Sequence, residues 1–227
     1  MEAIILAGGL GTRLRSRLND RPKAMALIES RPFLEILFDR LIRSKCDRII
    51  LSVGHLRDII MRHFGSSYRG VPIEYVIEEA PLGTGGAIRL CLPHAFGLDV
   101  VVLNGDTFLD TDYQAIFAAH LAEMAVLTMA VTPVPDVSRY GGVILNEGRI
   151  AAFSEKGSQG PGWINSGVYV LRRDFPWPDH LQPRFSFEQE VLQPYRLEIQ
   201  PFLCEGFFLD IGIPEDLDRA QVELKGR

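Results

Sequence analysis

The residues near the N-terminus that could most clearly take part in binding or catalysis are positively charged. Five cations lie within eleven residues and are accompanied by one acid: Arg13, Arg15, Arg17, Arg21 and Lys23, with Asp20. The whole chain carries a formal net charge of −5, so this segment is a local cationic site in an acidic protein. Such a concentration of positive charge predicts a bound anion, and phosphate suits both arginine and lysine.

Glycines directly precede these cations. Gly8, Gly9 and Gly11 follow the apolar run at residues 3–7. Glycine has no Cβ and tolerates positive φ, so backbone N–H groups in such a loop can approach a phosphate or a base closely. A plain strand-to-helix turn with solvated arginines is the alternative. Neither the Walker loop nor the dinucleotide fingerprint fits, because no Gly-Lys-Ser/Thr follows and Leu14 stands where a third glycine belongs.

A carboxylate follows a second buried run. Residues 99–103 are mostly apolar and predict a strand, and Asn104, Gly105 and Asp106 stand at its carboxyl end. Asp106 could simply cap the loop. Mg²⁺ is commonly held by one or two carboxylates together with substrate phosphates, so Asp106 is a candidate metal ligand.

Alternating strands and helices must position these groups. Apolar runs predict strands at 3–7, 47–53, 71–77, 99–103 and 125–131, and helical spacing predicts helices within 30–46, 55–64 and 113–121. The residues expected on the inner side of the last helix are Ile116, Phe117, His120 and Leu121. This order predicts an α/β fold of the Rossmann-like, doubly wound type, with a mostly parallel sheet, right-handed crossovers and helices on both faces. Ligands of such sheets bind outside the carboxyl ends of the strands, where the glycine loop and Asp106 both lie.

The pattern changes at Pro133, after which short strands are predicted at 143–145, 149–153 and 164–171. We therefore interpret the chain as one domain, 1–227, with a core at 1–132 that carries the glycine loop, a small substrate lobe at 133–204 and a return to the core at 205–227.

Length and composition limit the class of protein. A chain of 227 residues, 47% hydrophobic and 23% charged, is typical of a globular domain with a full core. No run approaches 18 apolar residues, and Met1 leads directly into a predicted strand, so we expect neither a signal peptide nor a membrane partner. Cys46, Cys91 and Cys204 lack C-x-x-C spacing, which favours reduced residues in a cytoplasmic protein. An acidic chain without a basic, aromatic-rich face is a poor candidate for nucleic-acid binding.

The chain resembles the sugar-1-phosphate nucleotidyltransferase family, whose fold is the GT-A-like fold of nucleotide-diphospho-sugar transferases. The family signature is a G-G-x-G-[TS]-R-L loop followed by P-K, and here GGLGTRL at 8–14 is followed by Pro22 and Lys23. Ala24 stands where many relatives have a second proline. The resemblance implies that Arg13 and Lys23 are catalytic groups on phosphate oxygens. It also implies that a nucleoside triphosphate is wrapped by Leu6, Ala7, Gly8, Gly9, Gly11 and Thr12.

A second segment, LGTGGA at 82–87, resembles the part of the family that lines the nucleobase. The implied nucleotide-binding residues are Pro81, Gly83, Thr84, Asn104 and Gly105. Guanine presents adjacent N1–H and N2–H₂ donors, and a carboxylate is an acceptor pair that suits them. We therefore hypothesise that Glu78 binds the base and that the nucleotide is GTP; a solvated glutamate is the alternative.

The later motifs concern the second substrate and the metal. The resemblance assigns sugar-phosphate binding to Tyr140, Gly141, Glu155, Lys156 and Asn165. The ending DIGIPED at 210–216 resembles D-I-G-[TS]-P-E-D, which implies that Asp210 joins Asp106 as a second Mg²⁺ ligand; Ile213 replaces the hydroxyl residue. Pro214 starts a predicted helix whose positive end explains the nearby acids, Glu215, Asp216 and Asp218. We expect no C-terminal β-helix domain of the kind that some relatives carry.

The implied reaction transfers a nucleotidyl group from GTP to a sugar 1-phosphate, with Mg²⁺ as cofactor. Within the family, PDVSRYG, EKG, INSGVYVLRR and FxDIGIPEDxxRAQ most resemble short members that use D-glycero-α-D-manno-heptose 1-phosphate for bacterial surface glycans. Mannose, glucose or N-acetylmuramate 1-phosphate with GTP or UTP is the alternative. Outside this class, a non-catalytic nucleotide-sugar sensor is the second alternative, and the residues that oppose it are the retained Arg13, Lys23, Asp106 and Asp210. An oxidoreductase that uses a dinucleotide is the third, and Leu14 opposes it. The sequence leaves both a monomer and a homodimer open.

Overall fold

The computed structural model describes residues 1–9, 11, 14, 17–18, 20–154 and 157–226. Its strands are β1 Glu2–Leu6, β2 Leu27–Ile28, β3 Arg31–Pro32, β4 Arg48–Val53, β5 Ser67–Tyr68, β6 Val71–Ile77, β7 Asp99–Asn104, β8 Thr107–Leu109, β9 Leu127–Val134, β10 Val143–Asn146, β11 Arg149–Phe153, β12 Gly162–Arg172, β13 Gln200–Leu203 and β14 Phe208–Asp210. Its α-helices are α1 Phe33–Arg43, α2 Arg57–Phe64, α3 Gly83–Cys91, α4 Tyr113–Ala122 and α5 Pro214–Glu223. Short 3₁₀ turns occupy Lys23–Met25, Leu92–His94 and Arg196–Glu198, and a π-helical turn occupies Glu188–Leu192. None of these helices is long and apolar enough to cross a membrane.

One large sheet forms the centre of the molecule. Its strand order is β11-β10-β12-β7-β1-β4-β6-β5, and β9 and β13 extend it through β12. The middle strands are parallel: β1 pairs with β4 and β7, and β4 pairs with β6. The predicted α/β fold with a mostly parallel centre is therefore confirmed.

Helices cover both faces of this sheet, and β1 shows why its sequence is apolar throughout. Side chains alternate between the two faces of a strand. Ala3 and Ile5 join the core on one face, which is built with α1, α2, α4 and α5, whereas Ile4 joins the core on the other face with α3. All three side chains are fully buried, as expected for a strand covered on both sides.

The longest strand, β12, belongs to the segment that the sequence suggested as a substrate lobe. It runs antiparallel beside β7 over residues 168–172 and pairs with β9 on its other side. Its ladder with β9 is irregular between Asn165 and Tyr169. The segment 133–204 therefore supplies a strand to the central sheet, while β10 and β11 form one edge of that sheet.

The helix α3 begins at Gly83 and includes the glycines at 83–86. One local prediction, for the inner side of α4, was wrong in part. In α4, Ile116 and His120 are buried as predicted, whereas Leu121 is 48% exposed. Leu121 follows His120 by one position, and that rotation of about 100° carries it off the buried stripe of the helix.

The buried histidine of α4 is a structural residue. His120 Nδ1 lies 2.8 Å from Thr128 Oγ1, and His120 Nε2 lies 3.1 Å from Asp99 Oδ1. Burial lowers the pKa of this imidazole, and the hydrogen bond to Asp99 opposes the shift without cancelling it. The neutral form of His120 therefore suits the folded protein.

Candidate active site

A cleft of about 380 Å³ opens where β1, β6 and β7 end, at the edge of the sheet that the fold prediction indicated. Its walls come from the glycine loop, the segment after β6 and the end of β7. The lining residues are Leu6, Gly8, Gly9, Gly11, Glu78, Pro81, Gly83, Thr84, Ala87, Asn104, Asp106 and Arg184. All of these except Ala87 and Arg184 are among the predicted site residues.

Two residues that were predicted to bind the nucleotide, Ala7 and Gly105, do not line the cleft but form hydrogen bonds next to it. Ala7 donates its backbone N–H to the Ser52 carbonyl at 2.9 Å. Gly105 donates its N–H to the Leu6 carbonyl at 3.0 Å, and a Cβ at this position would lie 2.5 Å from the same oxygen. The close approach of the two loops therefore requires glycine at position 105.

Glu78 lies against the glycine loop and is held in place by two hydrogen bonds. Its Oε1 accepts a hydrogen bond from Ser52 Oγ at 2.7 Å, and its Oε2 accepts one from the Leu82 N–H at 3.2 Å. The residue is 8% exposed, and its carboxylate lies so close to Gly8 that a Cβ there would collide with it. Each carboxylate oxygen can accept a further hydrogen bond, so Glu78 can keep these two bonds and also contact a ligand.

The glycines of the LGTGGA segment make room for another part of the protein. Gly83 has φ of +71°, and a Cβ there would lie 2.5 Å from the Phe185 carbonyl oxygen. Gly85 lies against the Phe185 ring, and a Cβ on Gly86 would lie 2.5 Å from the Pro183 carbonyl oxygen. The sequence interpretation connected these glycines with the nucleobase. Their contact with residues 183–185 is a separate reason for their presence.

The same contact brings Arg184 to the cleft. Phe185, its neighbour, accepts a hydrogen bond from the Gly85 N–H at 3.1 Å, which fixes this segment on the first turn of α3. Arg184 itself is exposed and has no ion-pair or hydrogen-bond partner within the described residues. The sequence did not predict this residue, because the residues around 184 belong to none of the motifs above and reach the cleft only through the tertiary fold.

The two carboxylates predicted to bind metal are brought together by a short antiparallel ladder. β8 pairs with β14, which places Asp210 opposite Thr107. The Ile211 N–H donates to the Asp106 carbonyl at 3.0 Å. Gly212 allows the Asp210 carboxylate to fold back, since a Cβ there would lie 2.8 Å from Asp210 Oδ1.

Lys23 lies beside both carboxylates. Its Nζ is 2.6 Å from Asp106 Oδ2 and 3.9 Å from Asp210 Oδ1. Pro22 directly precedes the 3₁₀ turn that begins at Lys23. Burial raises the pKa of the Asp210 carboxyl, and the negative charge of Asp106 adds to the shift, whereas Lys23 opposes it.

The oxygen atoms around this pair fit a hard divalent cation. Asp210 Oδ1 and Asn104 Oδ1 are buried and accept no hydrogen bond within the described residues. Mg²⁺ prefers oxygen ligands and is often held by one or two carboxylates together with substrate phosphates. Asp106 and Asp210 could therefore hold such an ion.

Tyr140 and Gly141, predicted to bind the sugar phosphate, lie next to the carboxylate pair and outside the lining of the cleft. The Tyr140 ring packs edge-on against Phe208, with centroids 5.5 Å apart, and Phe208 precedes Asp210 on β14. Gly141 has φ of +82°, which favours glycine at this turn.

Asn165 lies at the irregularity of β12. Its Oδ1 accepts a hydrogen bond from the Gly167 N–H at 2.9 Å, and its Nδ2 donates to Tyr169 Oη at 2.8 Å. A Cβ on Gly167 would lie 2.6 Å from Asn104 Nδ2, so this turn adjoins the end of β7. The structure thus places Asn165 close to the wall of the cleft.

Four predicted site residues, Thr12, Arg13, Glu155 and Lys156, lie outside the described residues. Their roles stay predictions.

Comparison with known proteins gives consistent matches over the whole chain. The nucleotidyl transferase family model matches residues 2–225. The chain is 43% identical to the D-glycero-alpha-D-manno-heptose 1-phosphate guanylyltransferase of Aneurinibacillus thermoaerophilus, over 99% of both chains. It is 40% identical to the protein of that name from Campylobacter jejuni, over 95% of this chain and 96% of the relative. The crystal structure of HddC from Yersinia pseudotuberculosis complexed with GMP-PN superposes with a TM-score of 0.86, at 36% identity and 99% coverage of both chains.

Proposed function

Because this chain belongs to the nucleotidyl transferase family, we propose that it transfers GMP from GTP to D-glycero-α-D-manno-heptose 1-phosphate and releases pyrophosphate. The observation that carries the proposal is the full-length similarity to two heptose 1-phosphate guanylyltransferases. The product, a GDP-heptose, would be a sugar donor for bacterial surface glycans. A cytoplasmic location is part of the proposal and is supported by three buried, unpaired cysteines.

The reaction requires no protein nucleophile. A phosphate oxygen of the sugar 1-phosphate forms a bond to the α-phosphorus of GTP, while the bond from that phosphorus to the oxygen bridging the β-phosphate breaks. The bonding electrons leave with pyrophosphate. Because the attacking group is already an anion, it needs no general base. The main obstacle is the repulsion between two anions, which positive groups and fixed orientation reduce.

The residues beside the carboxylate pair can lower this repulsion. In the proposed mechanism Asp106 and Asp210 hold Mg²⁺, which when bound would supply positive charge to the phosphates. Lys23 adds an ammonium beside the same carboxylates. We assign Arg13 to the triphosphate and Lys156 to the sugar phosphate, and Arg184 adds a further cation to the wall of the cleft.

The proposed preference for GTP rests on Glu78. This buried carboxylate faces the cleft from the end of β6, and its oxygens keep the capacity to accept hydrogen bonds from guanine N1–H and N2–H₂. Gly83 and Thr84 form the neighbouring wall. Uracil offers only N3–H as a ring donor, so it would satisfy one of the two oxygens.

Tyr140, Gly141, Glu155 and Asn165 are proposed to bind the sugar. Tyr140 and Asn165 support this assignment by their positions, one beside β14 and the other beside the end of β7. Tyr140 contacts the strand that carries Asp210, and the turn from Asn165 to Gly167 adjoins Asn104, two residues before Asp106.

The proposal is tested by measuring pyrophosphate release for four nucleoside triphosphates, each with a panel of sugar 1-phosphates that includes the heptose, in the presence of Mg²⁺. We expect turnover only with GTP and the heptose 1-phosphate. Turnover with mannose, glucose or N-acetylmuramate 1-phosphate instead would support the proposed reaction type and contradict the proposed sugar substrate. Binding of GTP without turnover on any sugar, in folded protein, would contradict the enzymatic proposal and favour a sensor.

A further inference from the structure

Asp216 has contacts that the positive end of a helix does not explain. It lies in the first turn of α5 and is only 2% exposed. Its Oδ2 accepts a hydrogen bond from Arg139 Nη2, and Arg219 Nη1 lies 3.5 Å from its Oδ1. Glu215 and Asp218 share the same end of the helix, but both are exposed. Burial therefore distinguishes Asp216 from these two neighbours.

The partner of Asp216 belongs to the sugar side of the site. Arg139 directly precedes Tyr140, and its guanidinium carbon lies 5.2 Å from the centre of the Tyr140 ring. Tyr140 packs against Phe208 on β14. The segment is thus attached by an ion pair to α5 and by an aromatic contact to β14. Asp210 lies in the chain between these two points of attachment.

The same segment also forms hydrogen bonds with Ser154 and Gly157. The Ser154 N–H donates to the Gly142 carbonyl at 2.8 Å, and the Gly142 N–H donates to Ser154 Oγ at 2.8 Å. On the other side, the Gly157 N–H donates to the Ser138 carbonyl at 2.9 Å. These hydrogen bonds connect Ser154 and Gly157 to residues 138–142.

We infer that Asp216 is a positioning residue for the sugar 1-phosphate. Through Arg139 it fixes residues 138–142, and with them Ser154 and Gly157, relative to Asp210. The inference rests on the proposed function. Loss of either partner breaks the ion pair that attaches Arg139 to the buried Asp216 carboxylate on α5, so residues 138–142 should then move away from their place beside the carboxylates. Neither Arg139 nor Asp216 lines the cleft assigned to GTP.

The test compares three single variants by steady-state kinetics with GTP and the heptose 1-phosphate. Asp216→Asn removes the charge and keeps the shape, Arg139→Gln removes the partner, and Glu215→Gln is the matched control because it removes an exposed acid from the same turn. We expect the KM for the sugar 1-phosphate to rise about tenfold or more in the first two variants, since small misplacements of binding groups can cost up to about 10²-fold. The KM for GTP should stay at the wild-type value in all three.

The double variant adds a readout that a purely structural role would not give. If Asp216 acts through Arg139, the double variant should have the same KM for the sugar 1-phosphate as the more impaired single variant, because the two residues act as one unit. The effects of independent residues would multiply. Arg139 has a side chain that is 39% exposed, so Arg139→Gln provides a folded variant if Asp216→Asn does not fold.

Two results would overturn the inference while leaving the proposed function intact. One is a KM for the sugar 1-phosphate in Asp216→Asn and Arg139→Gln equal to that in Glu215→Gln. The other is an equal rise in the KM values of both substrates. Failure of the wild-type protein to release pyrophosphate is a different result, because it would remove the proposed function itself and the inference with it.

Discussion

Lys23 Nζ lies 2.6 Å from Asp106 Oδ2 and 3.9 Å from Asp210 Oδ1, so one ammonium compensates two carboxylates from distant parts of the chain. The Lys23 side chain is only 18% exposed, which reduces screening of these charges by water. The arrangement connects the cationic segment before Lys23 directly with the proposed metal ligands.

Lys23→Met should lower turnover by about 10²-fold or more, the scale of losing one preorganised electrostatic group. The variant would remove a cation from the proposed phosphate site and leave Asp106 and Asp210 without their compensating charge. Pyrophosphate release at saturating substrate measures the effect. Lys45→Met is the control, since Lys45 is exposed and lies on the turn after α1. Near-normal turnover in Lys23→Met would contradict the assignment of Lys23.

Removal of divalent metal should abolish turnover, and Mg²⁺ should restore it. Asp210→Asn should raise the Mg²⁺ concentration needed for half-maximal turnover by about tenfold or more, because a neutral amide is a weaker ligand for a hard cation than a carboxylate. Asp174→Asn is the matched control, since Asp174 pairs with Arg172 at the surface. Full turnover in excess chelator would refute the proposed metal requirement.

Glu78→Gln should reduce the ratio of kcat/KM for GTP to that for UTP by about tenfold or more, since hydrogen bonds to a charged group contribute about 1.5–3 kcal/mol. Glu79→Gln is the control, because the Glu79 side chain is 83% exposed. Thermal unfolding must be measured in parallel, since Glu78 also bonds Ser52 and Leu82. An unchanged ratio in a stable variant would show that another group selects the base.

Gly85→Ala should lower the free energy of unfolding by about 1–3 kcal/mol, the usual cost of overpacking. The added Cβ would collide with the Phe185 ring, which has few alternative positions between α3 and the core. Denaturant unfolding measures the change. Gly9→Ala is the control because a Cβ there would meet no atom within 4 Å. Equal free energies of unfolding for the two variants would mean that residues 183–185 can shift to accommodate the added Cβ at little cost.

The free energy of unfolding should fall as the pH drops below about 6.5, partly because of His120. Its pKa is lowered in the folded protein from the ordinary value of 6.5, so between the two values the unfolded state binds more protons. The contribution of neutral His120 is therefore complete above pH 6.5 and is lost as the pH falls toward the folded-state pKa.

This pH dependence of the free energy of unfolding is tested by denaturant unfolding between about pH 5 and 8, the range in which histidine titrates. His120→Gln should have a flatter profile than the wild type, whereas His180→Gln, at an exposed position, should follow the wild type. An unchanged slope in His120→Gln would assign the pH dependence to other groups.

Much of the cleft could be predicted because its residues belong to local motifs at strand ends. The carboxyl ends of β1, β6 and β7 meet at one edge of a parallel sheet, so Gly8, Glu78 and Asn104 had to lie near one another once the strands were recognised. The apolar runs specified these strands because both faces of the sheet are covered.

The unpredicted features depend on contacts between distant segments. Arg184 reaches the cleft because Phe185 packs on Gly85, and the buried state of Asp216 depends on Arg139. No periodicity or motif spacing in the sequence connects the two residues of either pair. The sequence explained Asp216 by its place at the positive end of a helix. That explanation accounts for an acid at this position but not for its burial or its ion pair with Arg139.

The contact of Gly83, Gly85 and Gly86 with residues 183–185 bears on how this chain's descendants would diverge. Glycines required by packing would persist in a copy that had lost its chemistry, so the LGTGGA segment would outlast the activity. Asp210 would not, because its carboxylate is held where burial disfavours the charge, and an inactive lineage would gain stability by replacing it. A relative that keeps these glycines but lacks the carboxylate pair would therefore be one that has lost catalysis.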